Sequence, residues 1–310
     1  MKPIRVGFGG VGCDIFIDHY LSFLERANRG GFEFRRIPSR DSFYRDGHQL
    51  DIYHELFGHD AFKRFALNRV RGVKNVCHWI GTDVEKVSES QRHRLRNRLS
   101  NAFVDLQLCN APHLQARLAR LGIETTLVRT VSPSLVVDEI PALPERFTVL
   151  VYAPAANPTL YHRDDCLRLA AERPEWQWIF AGSETPNEIE TPPNATFVGW
   201  VADMPELLRG TSALLRWIDH DGESLMITET LVRGRRVVYN AYDRELCVHA
   251  TTAGEILAAL DVISSQTSAD YETASKARAA HDPDRIVGEL MGLYRELAGR
   301  PAHPTGAQSS

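Results

Sequence analysis

The sequence predicts an α/β protein made of two Rossmann-like, doubly wound halves facing a central cleft. Through the first third of the 310 residues, short apolar runs alternate with longer amphipathic ones, the pattern of βαβ units in a parallel sheet. The same alternation restarts at Phe147. Between the two stretches, Ser132 to Arg146 holds three prolines and mixed charges, the composition of a connection. The expected division is therefore an N-terminal half over 1–140, a C-terminal half over 141–283, a last helix over 284–299 and a disordered tail over 300–310.

In the first half, Ile4 to Phe8 reads as a strand, Ile15 to Ala27 as a helix and Phe32 to Ile37 as the second strand. Leu50 to Leu56 and Lys74 to Ile80 follow as strands, Ser88 to Leu99 as a helix, Leu106 to Asn110 as a strand and Ala111 to Leu121 as a helix closing on Gly122. In the second half the order is strand Phe147 to Tyr152, helix Arg163 to Glu172, strand Trp176 to Ala181 and strand Ala195 to Val198. It continues with helix Met204 to Gly210, strand Ala213 to Trp217, helix Ser224 to Arg233 and strand Arg236 to Tyr239. Asp284 to Leu297 is a strongly amphipathic final helix, and Gly299 to Ser310 is polar with Pro and Gly. Ligands of such sheets bind beyond the carboxyl ends of the strands, so the site is expected between the halves.

Composition excludes several classes. Hydrophobic residues make up 43% and charged residues 25%, as in ordinary globular proteins. Lys plus Arg is 36 against 40 Asp plus Glu, and the net charge of -4 gives no global attraction to nucleic acid or anionic lipid. Cys13, Cys77, Cys109, Cys166 and Cys247 lie far apart with no CxxC pair, which argues against a disulfide framework and a structural zinc site and for a reducing cytoplasm. The start MKPIRVGFGG lacks the parts of a secretory signal, and no run approaches 18 apolar residues.

Gly7, Gly9 and Gly12 follow a predicted strand and precede a predicted helix, where glycines let helix-end amides approach a pyrophosphate. With Arg35 and Arg36 at the end of the second strand, this would favour NADP over NAD. The plain alternative is a tight strand-to-helix turn, and an intermediate one is that Gly9, Gly10 and Gly12 line a different phosphate-containing site.

The most informative stretch is Asp203 to Tyr242, DMPELLRGTSALLRWIDHDGESLMITETLVRGRRVVYNAY. A strand ends at Arg216, a loop carries His220, Asp221, Gly222 and Glu223, and a helix starting near Ser224 and Leu225 carries Glu229. Free amides of a first helical turn suit a diphosphate or sugar hydroxyl, and a carboxylate at Glu229 suits the vicinal hydroxyls of a ribose. Asp221 on the loop would face the reacting end of the ligand. The alternative is a solvated acidic loop with Asp221 or Ser224 as an N-cap.

This segment resembles the donor-binding signature of the retaining, two-Rossmann-domain (GT-B) glycosyltransferases of the family 4 type. Phe197, Gly199, Met204, Pro205, Leu207 and Leu208 fall in register with it, as do Gly222, Glu229, Gly234 and Val237. The family's paired glutamates map onto Asp221 and Glu229, the first having become aspartate. More loosely, Val76 to Val84 resembles the loop that carries a histidine near the donor sugar, which would put His78 and Asp83 in the cleft. Ala111 to Ile123 resembles the helix after the last N-domain strand, and the last helix resembles the one that crosses back to the first domain.

The resemblance implies an enzyme that moves a sugar from a nucleoside-diphosphate sugar to a glycan, lipid-linked or small-molecule acceptor, with retention, without metal and without a further cofactor. Gly9, Gly10, Gly12, Arg163, Arg216, Gly222, Glu223, Ser224, Leu225 and Glu229 would bind the donor. Asp221, His220, His78 and Asp83 would orient the sugar and stabilise an oxocarbenium-like transition state. One departure stands out: the family's GR and KG after the first C-domain strand are replaced by VYAPAANPTLYHRDD, whose only basic candidates are His162 and Arg163, leaving Arg163, or Arg216, to balance the diphosphate. Two other readings stay open: an NADP-dependent oxidoreductase on the Gly7, Gly9 and Gly12 loop, and a noncatalytic sugar-nucleotide-binding protein.

Other patterns carry less. His54 to His59, HELFGH, has one residue too many for a helical HExxH pair, whose histidines would point about 140° apart, so no metal is assigned. The run Arg92 to Arg98, RHRLRNR, reads first as a solvated face, and second as a basic helix making weak peripheral contact with the inner face of a membrane. No pattern of nucleic-acid recognition, nucleophile elbow or P-loop occurs.

Overall fold

A computed structural model of the protein describes residues 2–10, 12–57, 61–186, 190–242 and 244–299. The described residues form two compact units, one up to Pro133 together with the segment from Asp282, and the other over Ser134–His281. The division thus falls at Pro133/Ser134 rather than at 140, and the segment from Asp282 belongs to the first unit. The tail over 300–310 lies outside the described residues.

The first unit runs β1 (Ile4–Gly9), α1 (Asp14–Ala27), β2 (Phe32–Arg36), α2 (Arg40–Asp46), β3 (Ile52–Leu56), α3 (Phe62–Arg71), β4 (Lys74–Trp79), α4 (Thr82–Glu89), α5 (Gln91–Asn101), β5 (Leu106–Cys109), α6 (Pro112–Arg120) and β6 (Thr126–Leu127). The last helix of the chain, α12 (Pro283–Leu297), completes it. All six strands are parallel in the order β2-β1-β3-β4-β5-β6. β3 and most of β4 are buried throughout, as strands covered on both faces must be. The apolar stripe of α12, Ile286, Val287, Leu290, Met291 and Tyr294, joins Val6 and Phe8 of β1 and Tyr20 and Leu24 of α1 in one core. Each such side chain contributes roughly 1.5–3 kcal/mol of burial, which fixes the helix to this unit.

The second unit runs β7 (Thr148–Tyr152), α7 (Arg163–Glu172), β8 (Gln177–Ala181), β9 (Ala195–Phe197), α8 (Met204–Arg209), β10 (Ala213–Arg216), α9 (Leu225–Leu231), β11 (Arg236–Tyr239), β12 (Val248–His249), α10 (Ala253–Ser264) and α11 (Tyr271–Ala280). Its sheet is also parallel, in the order β12-β11-β10-β7-β8-β9. The strand order therefore reverses between β7 and β10 here and between β1 and β3 in the first unit, the points where open α/β sheets leave a crevice at their carboxyl edge.

The structure departs from the sequence reading mainly in its helices. The helix expected over Ser88 to Leu99 is two helices, because Ser90 takes an extended backbone and its side chain caps α5 by accepting from the His93 amide. α2 and α3 fill what reads as connection between strands, and α10 and α11 what reads as connection before the last helix. Thr252 and Glu255 close a capping box on α10, which makes that start explicable. His54 and Glu55 of the HELFGH run lie on β3, inside the strand expected over Leu50 to Leu56, and His59 lies outside the described residues.

Candidate functional site

At the β7/β10 reversal of the second unit, two loops meet. Arg216 ends β10 and is buried, its guanidinium paired with both carboxylate oxygens of Asp221 at 2.9 and 3.1 Å. The same guanidinium lies 4.9 Å from the ring centroid of Tyr161 and 5.6 Å from that of Tyr152. Burial works against its charge, but Asp221 outweighs burial and holds it above its ordinary value. Asp221 also accepts from the Gly222 amide at 3.0 Å, and the Tyr242 hydroxyl donates to the Gly222 carbonyl at 2.8 Å. Asn240, just beyond β11, brackets Ile218 by accepting from its amide and donating to its carbonyl. The loop from Trp217 to Glu223 is thus fixed at both ends.

His162 ties this loop to α7. One ring nitrogen is 3.1 Å from Asp165 and the other 2.7 Å from Asp219, while the ring stacks on Trp217 at 4.9 Å and 13°. Burial lowers its affinity for a proton, but the two carboxylates prevail and raise it. Arg163 follows as the first residue of α7, with Nε donating to Asp164 at 2.9 Å. Sequence reasoning overlooked Tyr152, Tyr161 and Trp217 and weighed His162 only as a basic candidate for the diphosphate. Their shared signal is that each flanks the carboxyl end of β7 or β10, or the start of α7.

Ser224 caps α9, its side chain accepting from the Ile227 amide, and Leu225 opens the helix. Glu229, only 9% exposed, accepts from the Ser134 hydroxyl. Glu223 is buried 3.8 Å from the His281 ring, and His220 is half-buried on the loop. The second unit therefore brings Arg163, Arg216, His220, Asp221, Gly222, Glu223, Ser224, Leu225 and Glu229 to two adjoining loops and one short helix. It also corrects one expectation: Arg216 and Asp221, expected as separate ligand contacts, are each other's partner.

In the first unit the expected site residues serve the interior. His78 on β4 is fully buried, with one ring nitrogen 3.2 Å from His54 and the other 3.0 Å from the Val128 carbonyl. His54 in turn lies 2.5 Å from the Tyr294 hydroxyl of α12. Burial pushes His78 down to about 4, so at neutral pH it is an uncharged core histidine rather than a residue open to a sugar. Asp83 is also fully buried and accepts from the amides of Gly81 and Val84 at 2.9 and 3.0 Å, bracing the turn between β4 and α4. Burial raises it to about 6 even against those amides.

The glycine loop has a packing explanation. A methyl group at Gly9 would sit 2.2 Å from the Tyr53 hydroxyl, and one at Gly10, whose φ is +154°, would sit 2.6 Å from the Leu56 carbonyl. Gly12 has φ +73° and open space around it. Arg36, a requirement of the NADP reading, is spent on Asp14 and Asp18 of α1, and Arg35 bonds Gln49. Among the described residues no group of three or more His, Cys, Asp or Glu is placed to hold a metal ion, and no helix is long and apolar enough to cross a membrane.

The fold has solved relatives. Anabaena HepE in complex with UDP, and with UDP and glucose, is similar over 94% of this chain and 100% of its own, with a TM-score of 0.70 at 12% identity. Sucrose-phosphate synthase from Thermosynechococcus elongatus is similar over 96% and 99%, with a TM-score of 0.75 at 13% identity. The glycotransferase of kitacinnamycin covers 96% and 100% with a TM-score of 0.58 at 13% identity. The chain shares the two-sheet, parallel α/β fold of these GT-B proteins. At such identities the likeness concerns fold, and chemistry rests on particular side chains. No family profile and no curated protein matches the sequence.

Proposed function

We propose that the protein is a glycosyltransferase of the retaining family 4 type that takes a nucleoside-diphosphate sugar, with UDP as the first base to test, and transfers the sugar to a glycan, lipid-linked or small-molecule acceptor. The observation that carries this reading is Glu229: it sits on α9, directly after the β10 strand and its loop, where the donor signature puts its ribose-binding carboxylate. Capture of HepE with UDP and UDP-glucose supports the choice of nucleotide. In this reading Glu229 exchanges its Ser134 contact for the two ribose hydroxyls. Arg163, one-eighth exposed and bonded through Nε alone to Asp164, directs its terminal amines to the departing diphosphate. Asp221 acts through Arg216, holding the loop so that His220 and the Gly222 amide face the sugar. In this reading the donor needs no metal.

A noncatalytic nucleotide-sugar-binding protein is the second reading, favoured by the pairing of both candidate cations with aspartates. Thermal shift against UDP, GDP, TDP, ADP and NADP, with and without magnesium, tests both, because a ligand that binds only the folded state raises Tm. Stabilisation by one nucleoside diphosphate regardless of magnesium, lost in Glu229→Ala with the circular dichroism spectrum retained, is the expected result. A shift with NADP alone, or one unchanged in Glu229→Ala, overturns the assignment. Turnover of the donor, measured by release of the nucleoside diphosphate, then separates enzyme from binding protein.

A further inference from the structure

Helix α5 is amphipathic the wrong way round. It packs on α3 and α4 through a face centred on Asn97 and Ser100, both buried, while Leu95 and Leu99 are 63% and 52% exposed. Residues four apart on a helix lie about 40° from each other, so the two leucines form a single outward crest. Arg92 and Arg96 flank that crest on one side and Arg98 on the other, and all three are exposed. Residues 90–104 hold four arginines and no Asp or Glu. Among the described residues neither Arg92 nor Arg98 makes an ion pair. On the adjoining helix α3, Val70 is 86% exposed as well.

Aliphatic side chains turned to water while amide and hydroxyl side chains are turned inward lose burial energy in the isolated protein, and two on one crest call for an explanation that one scattered apolar residue would not. A second copy of this face is a poor occupant, since arginines would meet arginines. Nucleic acid matches the arginines but has no use for a leucine crest. A surface with anionic headgroups over an acyl layer matches both.

We propose that α5 docks the protein on anionic phospholipid bilayers, Leu95 and Leu99 entering the headgroup–acyl boundary and Arg92, Arg96 and Arg98 engaging lipid phosphates. The inference is independent of the donor assignment and stands or falls by a separate measurement. The full chain is sedimented with vesicles of phosphatidylcholine alone and of phosphatidylcholine with about one-third phosphatidylglycerol, a mixture carrying the surface charge the arginines need. Binding is expected only to the anionic vesicles and weakens as salt rises from about 0.05 to 0.5 M. Each of Arg92→Gln and Arg98→Gln lowers affinity roughly fivefold, and Leu95→Ser with Leu99→Ser lowers it by about tenfold or more. All four positions are exposed, so Tm stays put. No binding to anionic vesicles overturns the proposal. So does vesicle binding that survives the leucine changes, or a polyanion such as heparin bound with the same leucine independence. A leucine-dependent dimer in size-exclusion chromatography, with no vesicle binding, assigns the face to a second copy and overturns it too.

Discussion

The two units share a six-stranded parallel sheet and one strand-order reversal each, yet they treat the ionisable residues on and after their central strands in opposite ways. In the first, His54, His78 and Asp83 are drawn inside and satisfied by core hydroxyls, carbonyls and amides. In the second, Arg216, Asp221, His162 and Asp219 pair with one another in two loops at the sheet edge. The lesson is that a shared topology does not dispose ionisable residues alike: the first unit has turned its own into core architecture, and the second pairs its own with one another across two loops.

The largest expected effect tests the second unit's side of that contrast. Arg216→Met takes from Asp221 the guanidinium that pairs with both of its carboxylate oxygens, in a largely buried place, at a cost of about 3–5 kcal/mol. Replacing both, Arg216→Met with Asp221→Leu, recovers most of that loss because no charge is stranded. Chemical denaturation of the two variants checks it. A single variant as stable as the parent protein would mean that the pair is solvent-supported and the contrast between units is overdrawn.

The next effect belongs to the first unit. His78 is lowered from 6.5 to about 4 by burial, and His54 is lowered well below its ordinary value by burial and by the neighbouring His78. A histidine whose folded-state value is depressed stabilises the fold above its ordinary value of 6.5, and that stability drains away as pH falls through the window down to about 4. For His78 alone the loss is on the order of 3 kcal/mol. Asp83 opposes it: raised to about 6, it takes up a proton more readily in the folded state and lends stability as pH falls below that value. Two histidines against one carboxylate leave a net acid loss. Amide exchange at about pH 7.5 and 5 should show β3 and β4 loosening first; unchanged exchange there would sink this account.

Gly9→Ala comes third. The added methyl displaces the Tyr53 hydroxyl, which is held by Glu55 and through it by Arg64, so the expected cost is about 1–3 kcal/mol. Gly12→Ala meets no atom but adopts φ +73°, a cost of roughly 1–2 kcal/mol. Nucleotide binding unchanged in Gly9→Ala while Tm falls makes the glycine a packing residue. Loss of binding at constant Tm makes it part of the ligand site and blurs the comparison.

What was legible in the sequence follows from the range over which each feature is encoded. β1, β4, β7 and β10 stand out because a parallel strand covered on both faces is a local apolar run, and Ser224 and Glu229 because they punctuate a local strand–loop–helix pattern. The break at Ser90 was hidden because charged residues continue on both sides and only one backbone conformation marks it. Partners were not legible. His78 bonds a carbonyl 50 positions away and His54 a hydroxyl 240 positions away, so nothing near either residue says that its ring is buried. The Arg216–Asp221 pair spans five residues, but whether a loop folds them together depends on Tyr242 and Asn240 holding its ends.

The smallest effect sharpens the comparison most, because it reverses a sign. His162 is raised above 6.5: burial opposes the proton, and the bonds to Asp165 and Asp219 outweigh it. A raised histidine contributes stability that is complete below its ordinary value and is lost as pH climbs through the raised one. The loop carrying Asp219, His220 and Asp221 should therefore be held most firmly in mild acid, where β3 and β4 of the other unit begin to loosen. The ring is about one-quarter exposed, so solvent screens the pairing and the change is local rather than global. Ring-proton chemical shifts of His162 followed against pH, beside amide exchange of residues 217–223, give the measurement. His162→Gln keeps a donor for one aspartate but has no proton to lose, so it should abolish the alkaline loosening of the loop while leaving the acid loosening of β3 and β4 untouched. Loosening of both regions on the same side of neutrality would mean that the two units answer to one global transition rather than to their own histidines.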